Sequence, residues 1–181
     1  MTKKKSFIIV IALFITLIIV FSVSLALTLQ GKDDKMELLN SATILLKFNG
    51  EEHKIDVAKL KEIGTEEFKA VYKPSGIEPV EKIYTGVELI KILNYYNVAL
   101  TEKSQIYFNA VDGMAKVYTA ESVKLPQNVY IAYLVNGKPF NKTSTNYKQD
   151  EQEDGAPYVV IKTSDKFSQN RCKFLVEIEV K

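Results

Sequence analysis

Four carboxylates crowd into five residues at Asp150, Glu151, Glu153 and Asp154. Ca²⁺ takes about six to eight oxygen ligands, several of them carboxylates, so this run is a candidate for weak extracytoplasmic calcium binding. Its spacing is not that of an EF-hand loop, and charge runs of this kind are usually solvated. Thiol chemistry rests on one residue, Cys172, which directly follows Arg171. A neighbouring cation lowers a thiol pKa, whereas burial on a strand leaves the same cysteine inert. One cysteine forms no internal disulfide and no thiolate cluster, and the lone His53 rules out a multi-histidine metal site. No Gly-x-Ser-x-Gly turn presents a serine nucleophile, so hydrolase chemistry has no support.

Three further points could serve a pocket. Asp112-Gly113 and Asn136-Gly137 are pairs that build tight hairpin turns, and either turn could also line a binding site at the end of a sheet. Gly86 stands inside "YTGVELIKIL", where Thr85 and Glu88 have the spacing of a capping box, with Tyr84 and Leu89 as a hydrophobic staple. Val87, Leu89, Ile90, Ile92 and Leu93 then supply an apolar stripe, which predicts a helix entered at Thr85. Capping accounts for Thr85 and Glu88 without a ligand, and Gly86 could still leave room for one at the helix mouth. The ten tyrosines could stack on a flat ligand, but Tyr130 and Tyr133 fall on opposite faces of one strand.

The elements that must position these residues are mostly strands. "ATILLKFNGEEHKIDV" predicts two strands about an Asn-Gly turn, and puts His53 at a strand edge or turn. "DVAKLKEI" predicts a helical turn, and "TEEFKAVYK" a strand with Phe68, Ala70 and Tyr72 on one side. "SQIYFNAVDGMAKVYTA" predicts two strands joined at Asp112-Gly113, and "NVYIAYLVNGKPF" a strand running into the Asn136-Gly137 turn. "NKTSTNYKQDEQEDG" is a polar loop without periodicity, long enough to recognise a partner. "APYVVIKT" and "CKFLVEIEV" predict two more strands, the last with Phe174, Val176, Ile178 and Val180 inward. The sum is a mixed α+β domain, strand-rich, with one good helix packed on it.

The first residues are different in kind. Residues 1–6 form a basic head, and 7–29 form an uncharged apolar run, roughly 34 Å long as a helix and enough for a bilayer core. The lysines belong on the cytoplasmic side, so the run reads as a single-pass signal anchor with everything after it outside. Cleavage as a signal peptide, releasing a secreted domain, is the alternative. Residues 30–43 read as a tether. No cysteine follows the apolar run, which excludes a lipoprotein anchor. With Lys3, Lys4 and Lys5 set aside the chain is near neutral, which gives it no electrostatic reason to bind nucleic acid.

In order, "YTGVELIKIL", "AVDGM", "VYIAYLVNGKPF", "DGAPYVVIK" and "RCKFLVEIEV" resemble the molybdopterin-binding domain of the sulfite oxidase family, over residues 44–181. The resemblance implies that fold, and a cofactor pocket near Gly86, Asp112, Gly113, Asn136, Gly137 and Arg171. It also implies where molybdenum would be held. Catalytic members use a cysteine before the helix, on the segment matching "AVYKPSGIEPVEK", and this chain has none there. Cys172 lies far along the chain and does not carry over, and His53 and Arg171 are the only histidine and arginine available for the cofactor's phosphate. The expectation is an extracytoplasmic domain of this fold with no catalytic residue and no cofactor, binding a small ligand or an envelope protein. One alternative is a molybdopterin-dependent redox protein that manages without the cysteine; another is a purely structural envelope domain.

Overall fold

The computed structural model describes residues 3–76, 78–142 and 153–181, with residues 3–12 and 26–33 described by their backbone alone. The chain divides into two units, Met1–Asp34 and Lys35–Lys181. Helix α1 (Lys3–Ser41) accounts for the first and supplies the opening turns of the second. Among the described residues no helix is long and apolar enough to cross a membrane. The apolar run of 7–29 is described at its side chains only over 13–25.

The second unit holds two five-stranded sheets. In the first, strands β1 (Thr43–Phe48), β2 (Glu51–Asp56), β5 (Gln105–Ala110), β6 (Ala115–Thr119) and β10 (Leu175–Val180) lie in the order β2-β1-β10-β5-β6. Only β1 and β10 run parallel. In the second, β3 (Glu66–Tyr72), β4 (Val80–Glu88), β7 (Val129–Val135) and β8 (Lys138–Pro139) follow one another, and β9 (Val159–Lys162) also pairs with β7. Short helices α2 (Val57–Gly64), α3 (Leu89–Tyr95) and α4 (Ala120–Lys124) connect them; α2 is the helical turn predicted in "DVAKLKEI", and α4 has no counterpart in the sequence reading.

The predicted hairpins are present, and their turns show why. Asn49 and Gly50 have φ of 49° and 81°, and Asn136 and Gly137 have 48° and 72°, the paired positive values that fit the right-handed twist of the flanking strands. Asp56 caps α2, its Oδ1 accepting the Lys59 N–H at 2.7 Å. The main core draws on both sheets and the helices, with Ile44, Leu46, Ile106, Phe108, Ile131 and Ile178 fully buried. Each such side chain stabilises the fold by about 1.5–3 kcal/mol. A second cluster covers the other face of the β3-β4-β7 sheet, around Tyr84, Ala132, Phe140, Val159 and Ile161.

Three predictions fail for identifiable reasons. The helix does not start at Thr85: β4 continues through Glu88, whose side chain makes no cap bond, and α3 begins at Leu89. Tyr84 and Leu89 lie in different core clusters, so they form no staple. In β10 the inward alternation breaks at a register shift between Leu175 and Glu177. Leu175 is therefore buried, Val176 is 37% exposed and Ile178 is back in the core. The predicted tether is in part core: α1 runs through Ser41, Leu39 is buried, and the Tyr158 hydroxyl donates to the Ala42 carbonyl at 3.0 Å.

The outer face of the first sheet carries an ion pair with a testable pH signature. Lys47 Nζ lies 2.7 Å from Glu177 Oε2, and Asn109 Nδ2 donates to Glu177 Oε1 at 2.8 Å. The Lys47 hydrogen bond, with Asn109 adding to it, holds the Glu177 carboxyl below the usual carboxylate range. A depressed folded pKa gives stability that is present above the unfolded value and lost as pH falls through the folded one. Glu177→Gln is therefore expected to melt below the wild type at neutral pH. The gap between the two melting curves should begin to close as pH falls below roughly 4, the ordinary glutamate value, and vanish only below the depressed folded value.

Candidate functional site

A cleft of about 560 Å³ runs along the start of β3. Glu66 and Phe68 come from that strand, Tyr130 from β7, and Gln127 and Thr163 from the segments next to β7 and β9. The sequence places them simply. Residues two apart on a strand share a face, so Glu66 and Phe68 project together, and Phe68 stacks on Tyr130 with ring centroids 3.9 Å apart and planes at 11°. Gln127 sits at φ 56° and donates its N–H to Glu88 Oε1 at 2.5 Å, while its carbonyl accepts from Thr163 Oγ1 at 2.9 Å. Glu88, predicted to cap a helix, instead fixes one wall of the cleft.

The cleft is acidic. Glu66 Oε2 accepts from Lys91 Nζ at 2.9 Å, and that bond above all holds its carboxyl below the ordinary range, so it is anionic at neutral pH. Its Oε1 is buried, and the Tyr130 phenol beside the carboxylate also draws its pKa down. Burial first, and then the Glu66 carboxylate, push the Tyr130 phenol well up, so it stays protonated. The arrangement can receive a cationic or hydrogen-bond-donating group beside an aromatic wall.

A second constellation is charged and closed. Arg171 and Glu153 expose 4% and 1% of their surface, and Arg171 Nη1 donates to Glu153 Oε2 at 2.6 Å and to the Tyr84 hydroxyl at 2.8 Å. Tyr84 in turn donates to Glu153 Oε1, which Lys82 Nζ approaches at 3.7 Å. Arg171 Nη2 donates to the Val71 carbonyl at 2.8 Å. Burial opposes the guanidinium's charge, but Glu153 and Tyr84 more than offset it, so Arg171 holds its proton more firmly than usual. Burial, and then Glu153, push the Tyr84 phenol far up.

The residues named from sequence do not form one pocket along the cleft. Gly86 is packed against β7, where a Cβ would sit 2.4 Å from the Ile131 carbonyl oxygen. Asp112 and Gly113 make an exposed turn closed by the Met114 N–H on Asp112 Oδ1 at 3.0 Å. Asn136 ties its turn to β4, its Oδ1 accepting the Ile83 N–H at 3.2 Å. Arg171 belongs to the buried cluster. Of the calcium candidates, Asp150 and Glu151 lie outside the described residues, Glu153 is held by Arg171, and Asp154 accepts from Lys173. Among the described residues no group of three or more His, Cys, Asp or Glu could hold a metal ion. His53, on the edge strand β2, stacks on Phe48 at 5.3 Å. Tyr130 and Tyr133 do face opposite ways, the latter with its hydroxyl 3.0 Å from Thr65 Oγ1.

No family model matches the chain, and no curated protein matches it. The fold does have a solved counterpart. The crystal structure of the sulfane dehydrogenase SoxCD from Paracoccus pantotrophus superposes with a TM-score of 0.60 at 14% identity, covering 78% of this chain and 38% of that one. The fold resembles the sulfite oxidase domain. The chain spans well under half of that protein, so the likeness is one of architecture. The residues present do not fit a molybdenum centre of the expected kind. Cys172, the one cysteine, is fully buried with Sγ 3.6 Å from the Phe108 carbonyl, and burial pushes its pKa up to about 12. A protonated thiol locked in the core is no metal ligand.

The cleft residues escaped the sequence reading because their signal is non-local. Glu66 and Phe68 were legible as one strand face, but Gln127 and Thr163 meet them only through the pairing of β4, β7 and β9.

Proposed function

We propose that this chain is a membrane-anchored, extracytoplasmic domain of the sulfite-oxidase fold that binds a ligand or partner at the β3 cleft and performs no molybdenum chemistry. The observation that carries the reading is the state of the one thiol: Cys172 is buried and protonated, and the segment from Ala70 to Lys82 offers no other. Soft thiolate is the donor the resemblance calls for, and without it the metal has no protein ligand of that kind. The acidic, aromatic-walled cleft supports binding in place of oxygen-atom transfer.

The anchor rests on the apolar run of 7–29 after its basic head. Every large apolar side chain described from Leu13 to Leu25 exposes half or more of its surface, which suits lipid on all sides. Full-length chain purified from the membranes of a host that makes molybdopterin is expected to oxidise sulfite and reduce sulfoxides no faster than a mock preparation. Turnover that scales with the chain would establish the redox alternative in its place.

A further inference from the structure

Among the described residues nothing covers the start of the β3 edge, beside the cleft. β3 pairs with β4 alone among the described residues. Which backbone groups face outward follows from two independent sets of bonds. Ile83, opposite Lys69, gives its N–H to Asn136 Oδ1 at 3.2 Å and accepts the Asn136 N–H on its carbonyl at 2.7 Å, so both its groups turn away from β3. Lys69 and Ile83 are therefore a non-hydrogen-bonded pair, and Lys69 also turns its N–H and carbonyl away from β4. The same parity shows further along, where the Val71 carbonyl accepts Arg171 Nη2 and the Lys73 carbonyl accepts the Ser168 N–H at 3.3 Å. Those two bonds close the far end of the edge. At Glu67 and Lys69, among the described residues, no partner takes the outward groups.

We propose that this open stretch, Glu66 to Lys69, is a strand-addition site for an extended, basic peptide segment of a protein partner. The proposal rests on the binding reading above and names the class of partner. Backbone pairing to Glu67 and Lys69 supplies affinity, and the cleft takes alternate side chains of the added strand. Charge selects a basic segment. Lys69 is paired with Glu81 at 2.8 Å and Lys91 with Glu66 at 2.9 Å, so the surplus charge along the edge is the carboxylate of Glu67. The Glu66 carboxylate, at the cleft wall with Phe68 and Tyr130, adds an acceptor for a lysine or arginine lying along those rings.

The probe is a displayed library of random twelve-residue peptides, selected on the full-length chain in detergent. Enriched sequences are expected to alternate apolar residues with lysine or arginine. They should bind at least tenfold more weakly to Lys69→Pro, which deletes the outward N–H and leaves the β3–β4 ladder bonds in place. A Glu67→Gln variant tests charge without touching the backbone or the Glu66–Lys91 pair. It should also lose tenfold while melting at the wild-type temperature. Enrichment of acidic peptides, equal binding to both variants, or no enrichment over Lys69→Pro would overturn strand addition. None of these outcomes bears on sulfite or sulfoxide turnover, which tests the wider reading separately.

Discussion

Gly86→Ala is expected to destabilise the domain by about 3 kcal/mol or more, near the top of the range for overpacking a closed site. The added carbon would lie 2.4 Å from the Ile131 carbonyl oxygen and 2.8 Å from the Ala132 Cα. Both neighbours are backbone atoms of β7, so no side chain can rotate aside. Relief requires the two central strands to part, just where the β4–β7 register shifts between Thr85 and Gly86. Urea unfolding should show a lower midpoint with an unchanged slope, and the melting temperature should fall by roughly 10 °C. A variant as stable as the wild type would mean that β4 and β7 do not approach as described. Gly86 is thus a packing residue, and the freedom it was expected to give a ligand is used by the neighbouring strand.

The second large effect lies in the buried charge cluster. Glu153→Gln is expected to cost about 3–5 kcal/mol, because it removes the carboxylate on which Arg171, Tyr84 and Lys82 converge. Arg171→Met should fall at the lower end of that range, since Tyr84 and Lys82 still face Glu153. Combining the two, as Glu153→Gln with Arg171→Met, should cost clearly less than the two single changes added together, as is usual for residues in one network. Strict additivity in urea unfolding would show that the pair is not coupled. The cluster joins the end of the β8–β9 connection to β4 and to the segment before β10, so its loss should also speed proteolysis after Pro139.

These two sites show what the sequence could and could not convey. Hairpin turns were legible because Asn-Gly pairs declare positive φ within two residues, and the strand faces at Phe68, Ala70 and Tyr72 follow from simple alternation. The helix entrance was misread because the spacing of Thr85 and Glu88 satisfies a local rule, while the pairing of Gly86, Val87 and Glu88 with β7 is a long-range gain that local spacing does not encode. The bulge in β10 has the same character: Phe174-Leu175-Val176 is equally apolar on both faces, and only pairing with β5 decides that Leu175 goes inward. Arg171 and Glu153 were each noticed, one as a phosphate holder and the other as a calcium ligand. Their partnership across 18 residues was not, because opposite charges at a distance carry no pairing information in one sequence. The fold class, by contrast, rested on the order of many elements, which tolerates an error in any one of them.

The central claim is that this fold is present here without its metal chemistry. Molybdenum per chain is the most direct test, measured by mass spectrometry on full-length protein from a molybdopterin-producing host, with pterin fluorescence read after denaturation. The account predicts neither metal nor pterin above background in a folded protein. Near-stoichiometric molybdenum would contradict it, and would mean that a donor other than a thiolate holds the metal.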